Sequence, residues 1–121
     1  MQYLMMIYHT EANFQKASES DLAAVYQEFG QLREDLTAKG KFLGGNQLAL
    51  TSTATSVRVR DGKRVVTDGP FAETKEQLGG YFLIEATDLD DALSIAARIP
   101  TARTGTIEVR PVVVRGKVVT A

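Results

Sequence analysis

An α+β sandwich is the fold class this sequence predicts, and three observations predict it. Two segments, "MQYLMMIY" at 1–8 and "GYFLIEA" at 80–86, are apolar at odd and even positions alike, as strands covered on both faces are. Each is followed by an amphipathic stretch, 18–39 in the first case and 89–99 in the second. A third alternating segment, "GTIEVRPVVV" at 105–114, closes the series. Two split β-α-β units of this kind give the ferredoxin-like sandwich, whose helices cover one face of the sheet. The other face of the doubly apolar strands then needs cover. A second copy of the same sheet is the simplest cover, so a homodimer with sheets face to face is expected.

The elements follow in order. "QYLMMIY" is a central strand, and the polar run Thr10 to Ala17 reads as a loop. From Ser18 to Lys39, Leu22, Val25, Phe29, Leu32 and Leu36 recur at steps of three and four and form one stripe. Ser18 with Asp21 three residues on resembles a capping box, and Gly40 suits the position after the helix. "KFLGGNQLAL" is a short strand with a bend or bulge at Gly44-Gly45. In "TSVRVRDGKRVVTD" the pair Asp61-Gly62 favours a two-residue type I′ hairpin turn. That register pairs Arg60 with Lys63 and Arg58 with Val65. One face then carries Arg58, Arg60 and Lys63, and the other Val57, Val59 and Val66. Thr87 or Asp88 caps the second helix, "LDDALSIAARI", whose Leu89, Ala92, Leu93 and Ala96 are expected to face the core; Pro100 stops it. Pro111 cannot donate to a ladder, which places the last strand at an edge.

At 121 residues the chain fits one domain, 1–121. A hydrophobic fraction of 44% with 24% charge is ordinary for a globular protein. The net charge of −1 gives no field that would favour nucleic acid or an anionic membrane. With no cysteine, thiolate nucleophiles and cysteine-ligated metals are excluded. One histidine and no HxH or ExxH spacing point to no metal site. The glycine pairs form neither GxGxxG nor a P-loop, and no GxSxG elbow is present, so no cofactor is expected. The six-residue apolar run near the N-terminus is too short for a signal peptide or a membrane span, and the cytoplasm is the expected compartment.

One stretch stands out: "VVTDGPFAETKEQLGGYFLIEA". An aspartate at a turn ordinarily accepts from the N–H two residues on, but here that residue is Pro70, which has none. Asp68 therefore needs another donor, or faces solvent or a ligand. The loop Asp68 to Leu78 is long for a domain of this size and carries Glu73, Lys75 and Glu76. Two readings stand side by side. In one, Asp68 shapes a turn and Phe71 anchors it. In the other, Asp68, with Glu73 or Lys75, lines a pocket and does acid–base work.

The run "VRVRDGKRVVTDGPFAETKEQLGGYFLIEATDLDDAL" (57–93) resembles the DGPF branch of the YCII-related family, with "MQYLMMIY" and "IPTARTGTIEVRPV" in the corresponding places. The resemblance runs over nearly the whole chain. It implies the dimeric α/β-barrel version of the ferredoxin-like fold, here with an extra β-hairpin. Similar folds host isomerases, dehalogenases and monooxygenases. Some DGPF relatives are linked to sigma factors, which implies a sigma factor as an alternative partner in transcription initiation. The resemblance also implies a His–Asp pair, proposed as catalytic in the wider family, with its histidine on the first helix, where this chain has Tyr26 and Phe29 but no histidine. Its one histidine is His9, after the first strand. If the first strand and "GYFLIE" run parallel, His9 and the DGPF turn lie at opposite ends of the sheet, roughly 23 Å of strand apart.

The expected protein is thus a homodimer that binds a small molecule between sheet and helices. Tyr8, His9 and Phe71 are its candidate ligand-binding residues, and Asp68, Glu73 and Lys75 its candidate acid–base groups. The rival is a non-enzymatic regulatory or interaction module docked through the DGPF loop.

Overall fold

The structure is a computed structural model and describes residues 1–115. Its main sheet has four strands: β1 (Gln2–His9), β2 (Phe42–Gln47), β5 (Gln77–Glu85) and β6 (Thr106–Pro111), in the order β2-β5-β1-β6. Between β2 and β5 the chain inserts a separate hairpin, β3 (Thr55–Arg60) and β4 (Lys63–Asp68). Three helices accompany the strands: α1 (Glu11–Lys16), α2 (Glu19–Ala38) and α3 (Leu89–Ala96). Single 3₁₀ turns occupy Thr51–Thr53 and Pro100–Arg103. This is the ferredoxin-like α+β fold. No helix among the described residues is long and apolar enough to cross a membrane.

β1 and β5 are central, as their double-sided apolarity requires, and β6 lies at an edge and ends at Pro111. The expected parallel run of β1 and "GYFLIE" is corrected: every pair in the main sheet is antiparallel, with Tyr3 opposite Ile84 and His9 opposite Gln77. In this topology each crossover returns to a strand two places away, and the neighbour between them runs the other way. His9 therefore lies at the end of the sheet that the DGPF loop enters, not the far end. Two irregularities break the ladders. Leu43 is skipped between the pairs Phe42–Ile84 and Gly44–Leu83, and Gly79 is skipped between Ile7–Gly80 and Tyr8–Leu78. Both are one-residue bulges, and the first is the irregularity expected around Gly44-Gly45.

The hairpin has the register its sequence predicts, Arg60 opposite Lys63 and Arg58 opposite Val65. Asp61 and Gly62 both have positive φ, 51° and 72°, as a type I′ turn demands.

Ser18 caps α2 as expected, its Oγ accepting from the Asp21 N–H at 3.1 Å. Asp88 caps α3, its carboxylate accepting from the Asp91 N–H at 2.8 Å. Two helix expectations change. The stretch after Thr10 is a six-residue helix rather than a loop, pinned by tertiary bonds. The Glu11 N–H donates to the Gln77 side chain at 3.0 Å, and the Glu11 carboxylate accepts from the Thr51 N–H at 2.8 Å. In α3 the buried stripe is Ala92, Ile95 and Ala96, continued by Ile99, while Leu89 and Leu93 face out. The small alanines let the helix approach the sheet closely, and that turns the two leucines outward.

The core lies between the helices and one sheet face. Tyr3, Met5, Ile7, Phe82 and Ile84 come from the sheet, Leu32 and Leu36 from α2, and Ala92, Ile95 and Ala96 from α3. Ile84→Ala should therefore lower the unfolding free energy by about 2–5 kcal/mol. Leu93→Ala should change it by no more than about 0.5 kcal/mol. Urea denaturation of the two variants checks the rotation of α3.

The N-terminus of α3 is tied to β2 through Asp91. Its carboxylate accepts from the Thr87 N–H at 2.9 Å and from Lys41 Nζ at 3.1 Å. The backbone bond from Thr87, then the bond from Lys41, hold its pKa below the ordinary 3.8. A carboxyl whose pKa falls on folding stabilises the fold above its unfolded value, and the contribution disappears as pH drops through the folded value. The stability difference between wild type and Asp91→Asn should accordingly hold steady above about pH 5 and shrink below about pH 4. Chemical denaturation across that range measures it.

Candidate functional site

A helix of twenty residues can stay in contact with a sheet only where side chains fill the space between them. Beneath the C-terminal half of α2 they do: Leu32 and Leu36 are buried against the cluster that holds Phe82 and Ile84. Under its N-terminal half the sheet offers Gly45, Gly79 and Gly80. The same stripe on the helix, Leu22, Val25 and Phe29, stays only half-buried. The result is a cleft of about 490 Å³ between α2 and the sheet. That is within the size range of small-molecule sites.

The glycines are required there. A Cβ on Gly45 would come within 2.7 Å of both the Phe82 ring and the Tyr81 carbonyl oxygen. One on Gly80 would lie 2.8 Å from the Asn46 carbonyl oxygen. The bulge at Gly79 sets two consecutive glycines against the cleft and brings the backbone beside His9, whose Nε2 would be 2.5 Å from a Cβ at that position. His9 is the last residue of β1 and lines the cleft along with Ile7. Its ring meets Phe14 of α1 edge-on, with 5.3 Å between centroids. The bonds from Glu11 to Thr51 and Gln77 hold the short helix that presents Phe14 and Asn13 to the cleft. At the side, Tyr26 of α2 accepts from Gln47 Nε2 at 3.1 Å, a bond that links helix to strand at the mouth. Arg33, one turn beyond Phe29, also lines the cleft, its guanidinium 5.0 Å from the centre of the Phe42 ring.

Of the six candidate ligand-binding and acid–base residues named from sequence, His9 alone lines this cleft. Tyr8, one position before it, is on the opposite sheet face, where its hydroxyl donates to Glu108 at 3.3 Å. Burial and the neighbouring Glu108 carboxylate raise the Tyr8 pKa above 10.0. Asp68 ends β4 opposite Thr55 and is exposed, and its carboxylate has no hydrogen-bond donor among the described residues. Phe71 is 81% exposed and is not packed into the core. Glu73 and Lys75 are exposed in the loop beyond it. The DGPF turn is held through its glycine instead. The Gly69 N–H donates to the Ala54 carbonyl at 2.7 Å, and the Gly69 carbonyl accepts from Ser56 Oγ at 2.8 Å. Gly69 has φ of +92°, so the position favours glycine for conformational reasons as well. Among the described residues, no group of three or more His, Asp or Glu side chains is placed to hold a metal ion.

Sequence reasoning passed over Arg33, Gln47, Asn13 and Phe14 as site residues. A signal for the cleft was present: glycine pairs in two strands, and a helical stripe twice as long as the apolar floor available to it.

Gly79→Ala and Gly44→Ala make a direct test of the floor. The first should displace the His9 ring and shift its imidazole NMR resonances. The second meets nothing within 4 Å and should leave them unchanged. Because the group encountered at Gly79 is the far end of a side chain, its melting temperature should fall only slightly.

Comparison with known proteins places this geometry in a lineage. The YCII-related domain, as a family, matches residues 1–115. An uncharacterised protein of Rhizobium meliloti (strain 1021) is 35% identical over 113 residues, covering 92% of this chain and 91% of its own length. The antiparallel α+β sandwich, the DGPF turn and these matches agree, and the chain belongs to the YCII-related domain family.

Proposed function

We propose that this protein binds a small molecule in the cleft between α2 and the sheet, and that His9 is the group that exchanges a proton with it. The observation that carries the reading is the cleft itself, half-open, glycine-floored and apolar-walled, with the chain's one imidazole on its lining. Imidazole ordinarily titrates near neutral pH and can give or take a proton there. The chemistry that fits is cofactor-free proton transfer, elimination or hydrolysis. Asp68, Glu73 and Lys75 are outside the cleft lining, so in this reading a role for them in chemistry requires a second subunit.

That second subunit is part of the proposal. Leu4, Met6, Tyr81 and Leu83 share the sheet face opposite the core and are half-buried in the lone chain. The helices send their buried residues to the other face. A homodimer that packs these faces together would cover them.

A second reading is favoured by one observation. Val57, Val59 and Val66 share a face of the hairpin and are more than half exposed, as is Phe71 at the DGPF turn. Exposed apolar surface of this sort suits a docking site, and an interaction module linked to a sigma factor is the alternative function.

Thermal-shift screening of small molecules against wild type and Val25→Trp separates the two. Under the cleft reading, ligands that stabilise the wild type lose their effect when the indole fills the cleft, whereas Phe71→Ala leaves them bound. His9→Gln should keep ligand affinity and reduce any turnover found with such a ligand by about 10²–10⁴-fold. Binding lost in Phe71→Ala but kept in Val25→Trp would favour docking at the DGPF turn. Analytical ultracentrifugation tests the dimer: Met6→Lys or Leu83→Lys should yield a folded monomer at micromolar concentration.

A further inference from the structure

We infer that the cleft selects an elongated, flat carboxylic acid, an aryl- or alkenyl-carboxylate, with the carboxylate at Arg33 and the far end of the molecule beside His9. The inference rests on the cleft reading above and adds the ligand's chemical class to it.

Charge comes first. The chain has 15 acidic residues, yet none lines the cleft, where the ionisable side chains that can carry positive charge are Arg33 and His9. Four carboxylates on the neighbouring elements are engaged elsewhere, while Glu19, Asp21 and Glu34 of α2 lie outside the cleft lining. On α2, Glu28 pairs with Arg103 at 2.9 Å and Asp35 with Arg98 at 2.6 Å. Glu11 is bonded to Thr51, and Glu76 accepts from the Thr106 hydroxyl at 2.8 Å. Arg33 has no carboxylate within ion-pair distance among the described residues. Its guanidinium carbon is 5.0 Å from the centre of the Phe42 ring, and its N–H groups have no hydrogen-bond partner among the described residues. A planar fork with a free edge matches a carboxylate bidentately.

Shape comes second. Gly45, Gly79 and Gly80 leave bare backbone as the floor, while Phe29 and Phe82, packed edge-to-face on each other with centroids 6.0 Å apart, put aromatic surface at one side of it. A flat, unsaturated body can lie on that bare floor against the rings. The Phe82 ring packs against Phe42 and so lies at the Arg33 end, whereas Gly79 lies beside His9. Three residues of strand separate Gly79 from Phe82, roughly 10 Å, and an arylalkenoate is a molecule of that order of length.

The test uses a matched pair, cinnamate and cinnamamide, titrated by calorimetry at low ionic strength into wild type, Arg33→Gln and Val25→Trp. Arg33 is exposed, so its variant should fold, and circular dichroism confirms that. The wild type should bind cinnamate at least about tenfold more tightly than the amide, the value of a charge-assisted bond over a neutral one. Arg33→Gln should bring the two affinities together by weakening cinnamate alone. Equal binding of both compounds by the wild type, or a preference that survives in Arg33→Gln, overturns the acid assignment and leaves the cleft reading standing. Cinnamate binding unchanged in Val25→Trp, or in Leu22→Trp should the first variant not fold, overturns both. No binding of either compound at millimolar concentration also overturns the acid assignment.

Discussion

The fit of one helix to its floor is the constraint on which this structure depends. α2 carries an apolar stripe along its full length, but the sheet supplies side chains to meet only half of it. Where Phe82, Ile84 and Met5 rise from the sheet, Leu32 and Leu36 are buried. Gly45, Gly79 and Gly80 offer nothing, and beyond Phe29, which still meets Phe82 edge-on, Leu22 and Val25 line the cleft half-buried. Larger residues cannot fill that gap from below. A side chain at Gly45 or Gly80 would run into backbone oxygen of the neighbouring strand, at 2.7 and 2.8 Å. The glycines serve the close approach of strands at a bulged part of the sheet, and the cleft follows from them. An opening produced this way has a rigid floor and a less constrained roof.

How much of this was legible in the sequence depended on how far apart the cooperating residues lie. Local signals read correctly. Ser18 caps α2, Asp61-Gly62 makes the type I′ turn, and the hairpin register follows residue by residue. β1 and β5 declared themselves central because both of their faces are apolar. Strand direction was not legible in the same way, since relative orientation belongs to the topology and not to any segment. The misreading put His9 at the wrong end of the sheet. α1 was missed because "EANFQK" has no helical stripe, and bonds to Thr51 and Gln77, far along the chain, hold it. The candidate site suffered most. Asp68, Pro70 and Phe71 attract notice because turn chemistry is written in four consecutive residues. The cleft instead draws its residues from β1, α1, α2, β2, β5 and the 3₁₀ turn after α3, so its signals, a helical stripe and two glycine pairs, lie far apart in the chain.

The DGPF turn itself has a physical account. Pro70 removes the N–H that an Asx-turn at Asp68 would use, so the turn is fixed one residue later through both backbone groups of Gly69. Those bonds run back to Ala54 and Ser56 at the start of β3, and they clamp the open end of the hairpin. The two-stranded sheet stands apart from the main one and shares no ladder with it. An isolated hairpin is marginal in water, so a clamp at its base and an Asp-Gly turn at its tip are the devices that keep its strands paired. Its valines Val57, Val59, Val65 and Val66 stay exposed.

The roof of the cleft is held in ways that differ along α2. Near the C-terminus the helix is fixed by buried leucines, and removal of such a side chain costs about 2–5 kcal/mol. Toward the N-terminus its ties are the Tyr26–Gln47 bond at 3.1 Å and the pairing of Glu28 with Arg103 on the surface. An exposed ion pair contributes about 0–1 kcal/mol and a single hydrogen bond about 1 kcal/mol. The helix is thus anchored at one end and lightly tied at the other, so the smallest movement that widens the cleft pivots about Leu32 and Leu36. Under the proposed function, a flat apolar occupant would bury Leu22, Val25 and the open side of Phe29, at roughly 25 cal/mol for each Å² of apolar surface removed from water. Occupancy and completion of the core are then the same event. On the proposed function, the incomplete half of the helix–sheet contact is the part of this fold that a ligand would finish.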